Sequence, residues 1–191
     1  MSTAVAPART GQVLADLIPA SRVRDVALVV GGAALTGLAA QIAVPVPGSP
    51  VPVTGQTFAA LLVGTSLGAR RGVASLALYA LAGLAGLPWF AQGTSGFSVS
   101  FGYILGMILA SAAVGALARR GADRNVWRTA GAMLAGEAII YAIGVPYLAY
   151  AADLSLSAAV AAGLTPFLLG DALKAALAMG LLPSAWKLLK R

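Results

Sequence analysis

Residues 101–118 read FGYILGMILASAAVGALA and run straight into Arg119 and Arg120. Eighteen residues without a charge approach the ~20 that a helix needs to cross the hydrocarbon of a bilayer. The arginine pair behind them marks where such a helix would leave it. Working outward, comparable apolar windows lie at 26–44, 54–69, 72–90, 129–150 and 166–182. The window at 54–69 is short and opens on the polar Thr54, Gln56 and Thr57. Six windows predict an all-α membrane protein of six transmembrane helices.

Composition agrees. Of 191 residues, 59% are hydrophobic and 10% charged, with mean hydropathy +0.87. A water-soluble domain carries roughly a quarter charged residues, so the bilayer is the natural solvent. Cysteine and histidine are both absent. That excludes disulfides, thiolate or imidazole metal sites, Cys or Ser–His nucleophiles and histidine proton relays. No Gly-x-x-x-x-Gly-Lys-Ser/Thr string occurs, so the chain has no P-loop of its own, and no cofactor is expected. No internal repeat is convincing, which weakens a self-contained alternating-access transporter.

The segments between the windows sort by charge. Arg9, Arg22, Arg24, Arg70, Arg71, Arg119, Arg120, Arg124, Arg128, Lys187, Lys190 and Arg191 make twelve of the thirteen basic residues and fall in one set. The other set, 45–53, 91–100 and 151–165, holds none. The positive-inside rule makes the first set cytoplasmic and brings both termini inside. Residues 1–25 are then a cytoplasmic arm, 26–183 the six-helix substrate-binding domain and 184–191 a basic tail. The net charge of +7 is read as topology signals and contacts to membrane lipid, with no nucleic acid. Trp127 and Trp186 fall at the inner interface.

The unusual residues gather on the outer side. Pro45, Pro47, Pro50 and Pro52 make an extended, stiff first loop. Aromatics crowd there too: Phe58, Trp89, Phe90, Phe97, Phe101, Tyr103, Tyr141, Tyr147, Tyr150 and Phe167. They fit either an interfacial belt or a binding site.

Three ionisable residues, Glu137, Asp171 and Lys174, sit inside windows, where a charge is expensive. Asp171 and Lys174 are three apart and share a helical face. One reading is an ion pair that neutralises itself, with or without Glu137. The other is a polar clamp for a solute, the carboxylate accepting N–H groups and the ammonium donating to a carbonyl or carboxylate. Glu137 fits a counter-charge for Lys174 or a ligand role. Gln56 suits either a small solute or the backbone of the proline loop. In the first window small residues recur every four positions, at Ala27/Gly31, Gly32/Thr36/Ala40 and Ala33/Gly37. They fit internal packing or the docking of a second membrane protein.

These residues resemble a known family, BioY, the biotin-specific substrate-capture (S) component of energy-coupling-factor (ECF) transporters. The likeness runs over about 26–183. Its strings are Ala39-Ala40-Gln41-Ile42 with Pro45, Pro52-Val53-Thr54-Gly55-Gln56-Thr57-Phe58, and Leu67-Gly68-Ala69-Arg70-Arg71-Gly72. They continue in Gly83-Leu84-Ala85-Gly86-Leu87-Pro88-Trp89-Phe90, Gly102-Tyr103-Ile104-Leu105-Gly106 and Pro166-Phe167-Leu168-Leu169-Gly170-Asp171-Ala172-Leu173-Lys174. The resemblance implies a six-helix S-component fold and high-affinity biotin capture from outside. It also implies docking onto a transmembrane T component coupled to two cytoplasmic ABC-type ATPases. The family's acid and amine in the last helix match Asp171 and Lys174, and its small-residue docking face maps near Ala33 and Gly37. Ser98-Val99-Ser100-Phe101-Gly102-Tyr103 departs from the family's Gly-Pro-Thr-Gly-Gly-Tyr, keeping Tyr103. Trp89 stands where a smaller residue is common.

A ureido ring has two N–H donors and a carbonyl, which an acid and an amine on one face answer. The thioether ring and alkyl chain would suit Trp89, Phe90 and Tyr147. Gln56, Gly93, Tyr103 and Tyr141 complete the expected substrate-binding set, with loops 45–53 and 91–100 closing over the ligand. Rival readings are capture of thiamin or riboflavin, a structural subunit with a Glu137–Lys174 pair, and an intramembrane enzyme using Glu137 and Asp171. The lack of Cys and His argues against the enzyme.

Overall fold

The computed structural model describes residues 11–189. Arg9, Lys190, Arg191 and the first ten residues of the expected arm lie outside the described residues. The described residues form seven α-helices: α1 Arg22–Ala40, α2 Gln56–Leu67, α3 Ala69–Leu84, α4 Phe101–Arg119, α5 Val126–Ala151, α6 Leu156–Gly163 and α7 Leu168–Leu189. A small antiparallel ladder joins β1 Ala43–Val44 to β2 Val53–Thr54, pairing Ala43 with Thr54 and Val44 with Val53. The ladder closes the base of the proline loop.

Capping residues set the helix starts. Ser21 accepts from the Arg24 amide, Asn125 from Trp127 and Arg128, and Ser155 from Ala158. The first window therefore ends early: its last residues leave α1 at Ala40 and enter β1. The helix α1 also starts at Arg22, inside the stretch read as an arm, and α7 continues through the basic tail to Leu189. Helix α6 occupies a segment read as a loop; its eight residues are too short to register as a span. Among the described residues, four segments are long and apolar enough to cross a membrane: Arg22–Ala40, Phe101–Arg119, Val126–Ala151 and the run Leu156–Leu189. The twelve residues of α2 rise only ~18 Å.

Helix α4 is the axis. It packs on α5, α2 and α3, while α1 lies on α3 and α2 and α7 lies mainly on α5. Glycines permit the closest crossings. A Cβ at Gly64 would lie 2.6 Å from the Ser111 Cα, and one at Gly106 would lie 2.8 Å from the Ile140 Cα. A single residue, Gly68, separates α2 from α3; its φ of +81° is a conformation that side chains oppose.

At the end of the bundle where α4 terminates, the basic residues meet acids. Arg71 bonds Asp16 at 2.7 Å and Asp25 at 3.3 Å, and Arg119 reaches Asp16 at 3.3 Å. Val13 and Ala15 are buried beside Ala118, so this part of the arm is packed on the bundle. Trp127 is exposed, but Trp186 is 2% exposed. Its indole donates to Asp123 and lies under Arg124, 4.4 Å from ring centre to guanidinium, which takes it out of the interfacial role expected of it.

Two measurements test this packing. Gly64→Val forces a side chain into the Ser111 backbone and is expected to cost about 1–3 kcal/mol, read as a lower melting temperature in detergent. For Asp16, burial raises the carboxyl, but Arg71, the Val13 amide and Arg119 outweigh burial and hold it below 3.8. Such an acid stabilises the fold above its unfolded value and loses that contribution as pH falls through the folded one. Asp16→Asn should therefore melt lower than wild type at neutral pH, with the gap closing well below pH 3.8.

Candidate ligand-binding site

At the opposite end of the bundle the helix starts surround a cavity of about 570 Å³, counting its open mouth. The proline loop and β2 supply Val51, Pro52 and Thr54, α2 supplies Gln56 and Thr57, and the segment before α4 supplies Phe90, Ala91 and Ser100. Helix α4 contributes Tyr103, Ile104 and Met107, which share one face at i, i+1 and i+4. Helix α5 adds Ile140 and Tyr141. Phe167, Asp171 and Lys174 close the far wall.

The polar groups are concentrated on one side of this apolar cup. Lys174 Nζ donates to Asp171 Oδ1 at 3.0 Å and to Thr57 Oγ1 at 2.9 Å. The Tyr141 hydroxyl donates to Asp171 Oδ2. One ion pair thus links α7 to α2 and α5. Gln56 is buried, and its Nε2 has no hydrogen-bond partner although the residue lines the cavity. The amide is free to answer a ligand, and the backbone of the proline loop does not use it. The arrangement offers acceptors and donors for a neutral polar ring, with an apolar cup for the rest of a solute. Among the described residues no group of acids, cysteines or histidines could hold a metal ion.

Of the residues expected at a site, Asp171, Lys174, Gln56, Phe90, Tyr103 and Tyr141 come together here. Trp89, Gly93 and Tyr147 do not line the cavity. Trp89 packs on Gly37 and gives its indole N–H to Tyr79 O at 2.9 Å. Tyr147 covers Gly102 and neighbours Phe101. The Gly93 amide is turned to Gln41 Oε1 at 3.1 Å. Tyr103 contributes its ring, its hydroxyl being given to Gly163 O at 2.8 Å. Ala33 and Gly37 are buried within the bundle, Gly37 under Trp89. The exposed side of α1 carries Gly31, Ala34, Leu35 and Leu38. Lys174 pairs with Asp171, and no ion pair to Glu137 is present among the described residues.

Thr57, Ile104, Met107 and Ile140 were not among the site residues expected from the sequence. Thr57 had a signal, a second polar residue beside Gln56 at the head of an apolar helix. Ile104, Met107 and Ile140 had none, being ordinary residues of apolar spans. Gln41 was visible only as part of a string. At the end of α1 its Nε2 donates to Gly37 O (2.9 Å), Trp89 O (3.0 Å) and Phe90 O (3.2 Å). With the Gly93 contact, this one amide pins the segment that carries Phe90 into the cavity.

Known proteins align with this picture. The family model described as BioY family matches residues 10–191. Biotin transporter BioY2 of Lactococcus lactis subsp. cremoris is 34% identical over 160 residues, covering 82% of this chain and 87% of its own. The probable biotin transporter BioY of Pyrococcus horikoshii is 34% identical over 158 residues, covering 83% and 93%. In fold, the chain is similar to the crystal structure of the S-component for biotin from an ECF-type ABC transporter. The TM-score is 0.77 over 91% of this chain and 96% of that one, at 20% identity.

Gln41→Leu removes all four contacts and is expected to loosen the segment 89–93. Trp89 emission should shift to the red and cleavage near Gly93 should accelerate. A melting temperature lowered by the equivalent of about 1–2 kcal/mol is the accompanying sign, and unchanged emission and cleavage would count against the pin.

Proposed function

The chain belongs to the BioY family, and on that premise we propose that this multi-pass membrane protein captures biotin as the S component of an ECF-type transporter. The observation that carries the reading is the Asp171–Lys174 pair. It lies one turn apart on α7, opens onto a cavity and is braced by Thr57 and Tyr141. An acid that accepts N–H and an amine that donates match the two N–H groups and the carbonyl of a ureido ring. The unpartnered Gln56 amide adds a donor, and Phe90, Met107, Ile140 and Phe167 receive the sulfur ring and alkyl chain. A self-sufficient ion pair is rarely better than apolar packing in such a place, and a ligand gives it a purpose.

In this reading α1 to α5 and α7 are the six spans, and α6 stays at the outer end. The arginine-rich end is cytoplasmic with both termini inside, in line with the sorting of the basic residues. The loops 45–53 and 91–100 cover the bound ligand. The chain is a capture protein rather than an enzyme, and energy for uptake comes from a transmembrane T component and two ABC-type ATPases. No cofactor is required.

Binding to purified protein tests the assignment. Biotin is expected to bind tightly, while thiamin and riboflavin do not. Asp171→Asn and Lys174→Met are each expected to weaken biotin at least ~10-fold, because hydrogen bonds to charged groups contribute ~1.5–3 kcal/mol. Both variants should keep the wild-type helical content. Unchanged affinity in both would remove the pair from the site.

A further inference from the structure

Glu137 has no role in the capture site as described above. It lies on α5, is 8% exposed, and its Oε2 is buried with no hydrogen-bond partner. An orphaned acceptor inside an apolar bundle is costly to keep and calls for an explanation. A second cavity adjoins it between α5 and α7, lined among others by Met133, Leu134, Glu137, Tyr141, Leu168 and Asp171. Tyr141 and Asp171 line this cavity and the ligand cavity alike. The bond from the Tyr141 hydroxyl to Asp171 therefore joins two residues that face both cavities.

Both Asp171 oxygens are engaged within the chain, Oδ1 by Lys174 and Oδ2 by Tyr141. A ligand N–H aimed at this carboxylate must share an oxygen with a donor inside the chain or displace it. Lys174 is anchored a second time at Thr57, and the neighbouring Tyr103 hydroxyl is given to Gly163. Tyr141 is the donor with somewhere else to go. Glu137 is four residues earlier on the same helix face, the direction in which helical side chains lean.

We infer that Glu137 is a positioning residue for ligand capture: as the ligand N–H reaches Asp171, Tyr141 transfers its hydroxyl bond from Asp171 to Glu137. Before binding, Tyr141 holds Asp171 and Glu137 is orphaned. After binding, Tyr141 holds Glu137 and the ligand holds Asp171, so every donor keeps an acceptor and the orphan is gone. The ligand's bond is then a net addition rather than a replacement. This role rests on the biotin-capture reading.

The chain contains a single glutamate, so isotope-labelled glutamate marks Glu137 alone. Infrared difference spectra of the wild-type protein are expected to show its carboxyl band shift when biotin is added, and the shift should vanish in Tyr141→Phe. Glu137→Leu should weaken biotin about 10-fold by faster release, and Glu137→Gln, which keeps an acceptor oxygen, should restore most of it. In the Tyr141→Phe background Glu137→Leu should change affinity less than about 2-fold, the non-additivity expected of coupled residues. A wild type that fails to bind biotin sinks both readings. Biotin binding with a silent glutamate band, or with additive losses, overturns the exchange alone.

Discussion

Lys174 and Asp171 hold the cavity end of the bundle together because nothing else there can satisfy them. In hydrocarbon an ammonium and a carboxylate must find each other or a polar side chain, and their reach is limited to the adjoining helices. Lys174 therefore bridges α7 to Thr57 on α2, and Asp171 bridges α7 to Tyr141 on α5. Helix α7 makes few other contacts with α2, so the polar links fix its register where apolar packing is thin. The same links leave a space beside them, and that space is the candidate site.

The opposite end solves its electrostatic problem differently. Arginines there share Asp16 and Asp25 in a partly exposed network, where each pair is weak and the group acts by number. Between the two ends, glycines bring α2, α4 and α5 into close contact. The ion pairs lie at the two extremities, the arginine network fastening the arm at one and Asp171–Lys174 facing the cavity at the other.

Much of this was legible because the signals are local. An acid and an amine three apart in an apolar run must face the same way, and the helices bear that out at Asp171 and Lys174. The polar start of α2 likewise announced Gln56. What the sequence could not convey was which face of a span looks inward. Trp89 and Tyr147 are aromatic and near the cavity end, yet Trp89 fills the notch over Gly37 and Tyr147 the notch over Gly102. A small residue admits any neighbour, and spacing does not name the neighbour. The same ambiguity covered Ala33 and Gly37, whose pattern fits a partner's helix as well as the chain's own Trp89. Helix α6 was missed for a different reason, since eight small or apolar residues after a capping serine look like loop when spans are sought by length.

The one-residue connection at Gly68 leaves no slack between α2 and α3. Thr57 touches the solute pair at one extremity of α2, and Arg71 grips Asp16 and Asp25 just beyond the other. That short hairpin joins the polar cluster at one extremity to the arginine–aspartate network at the other.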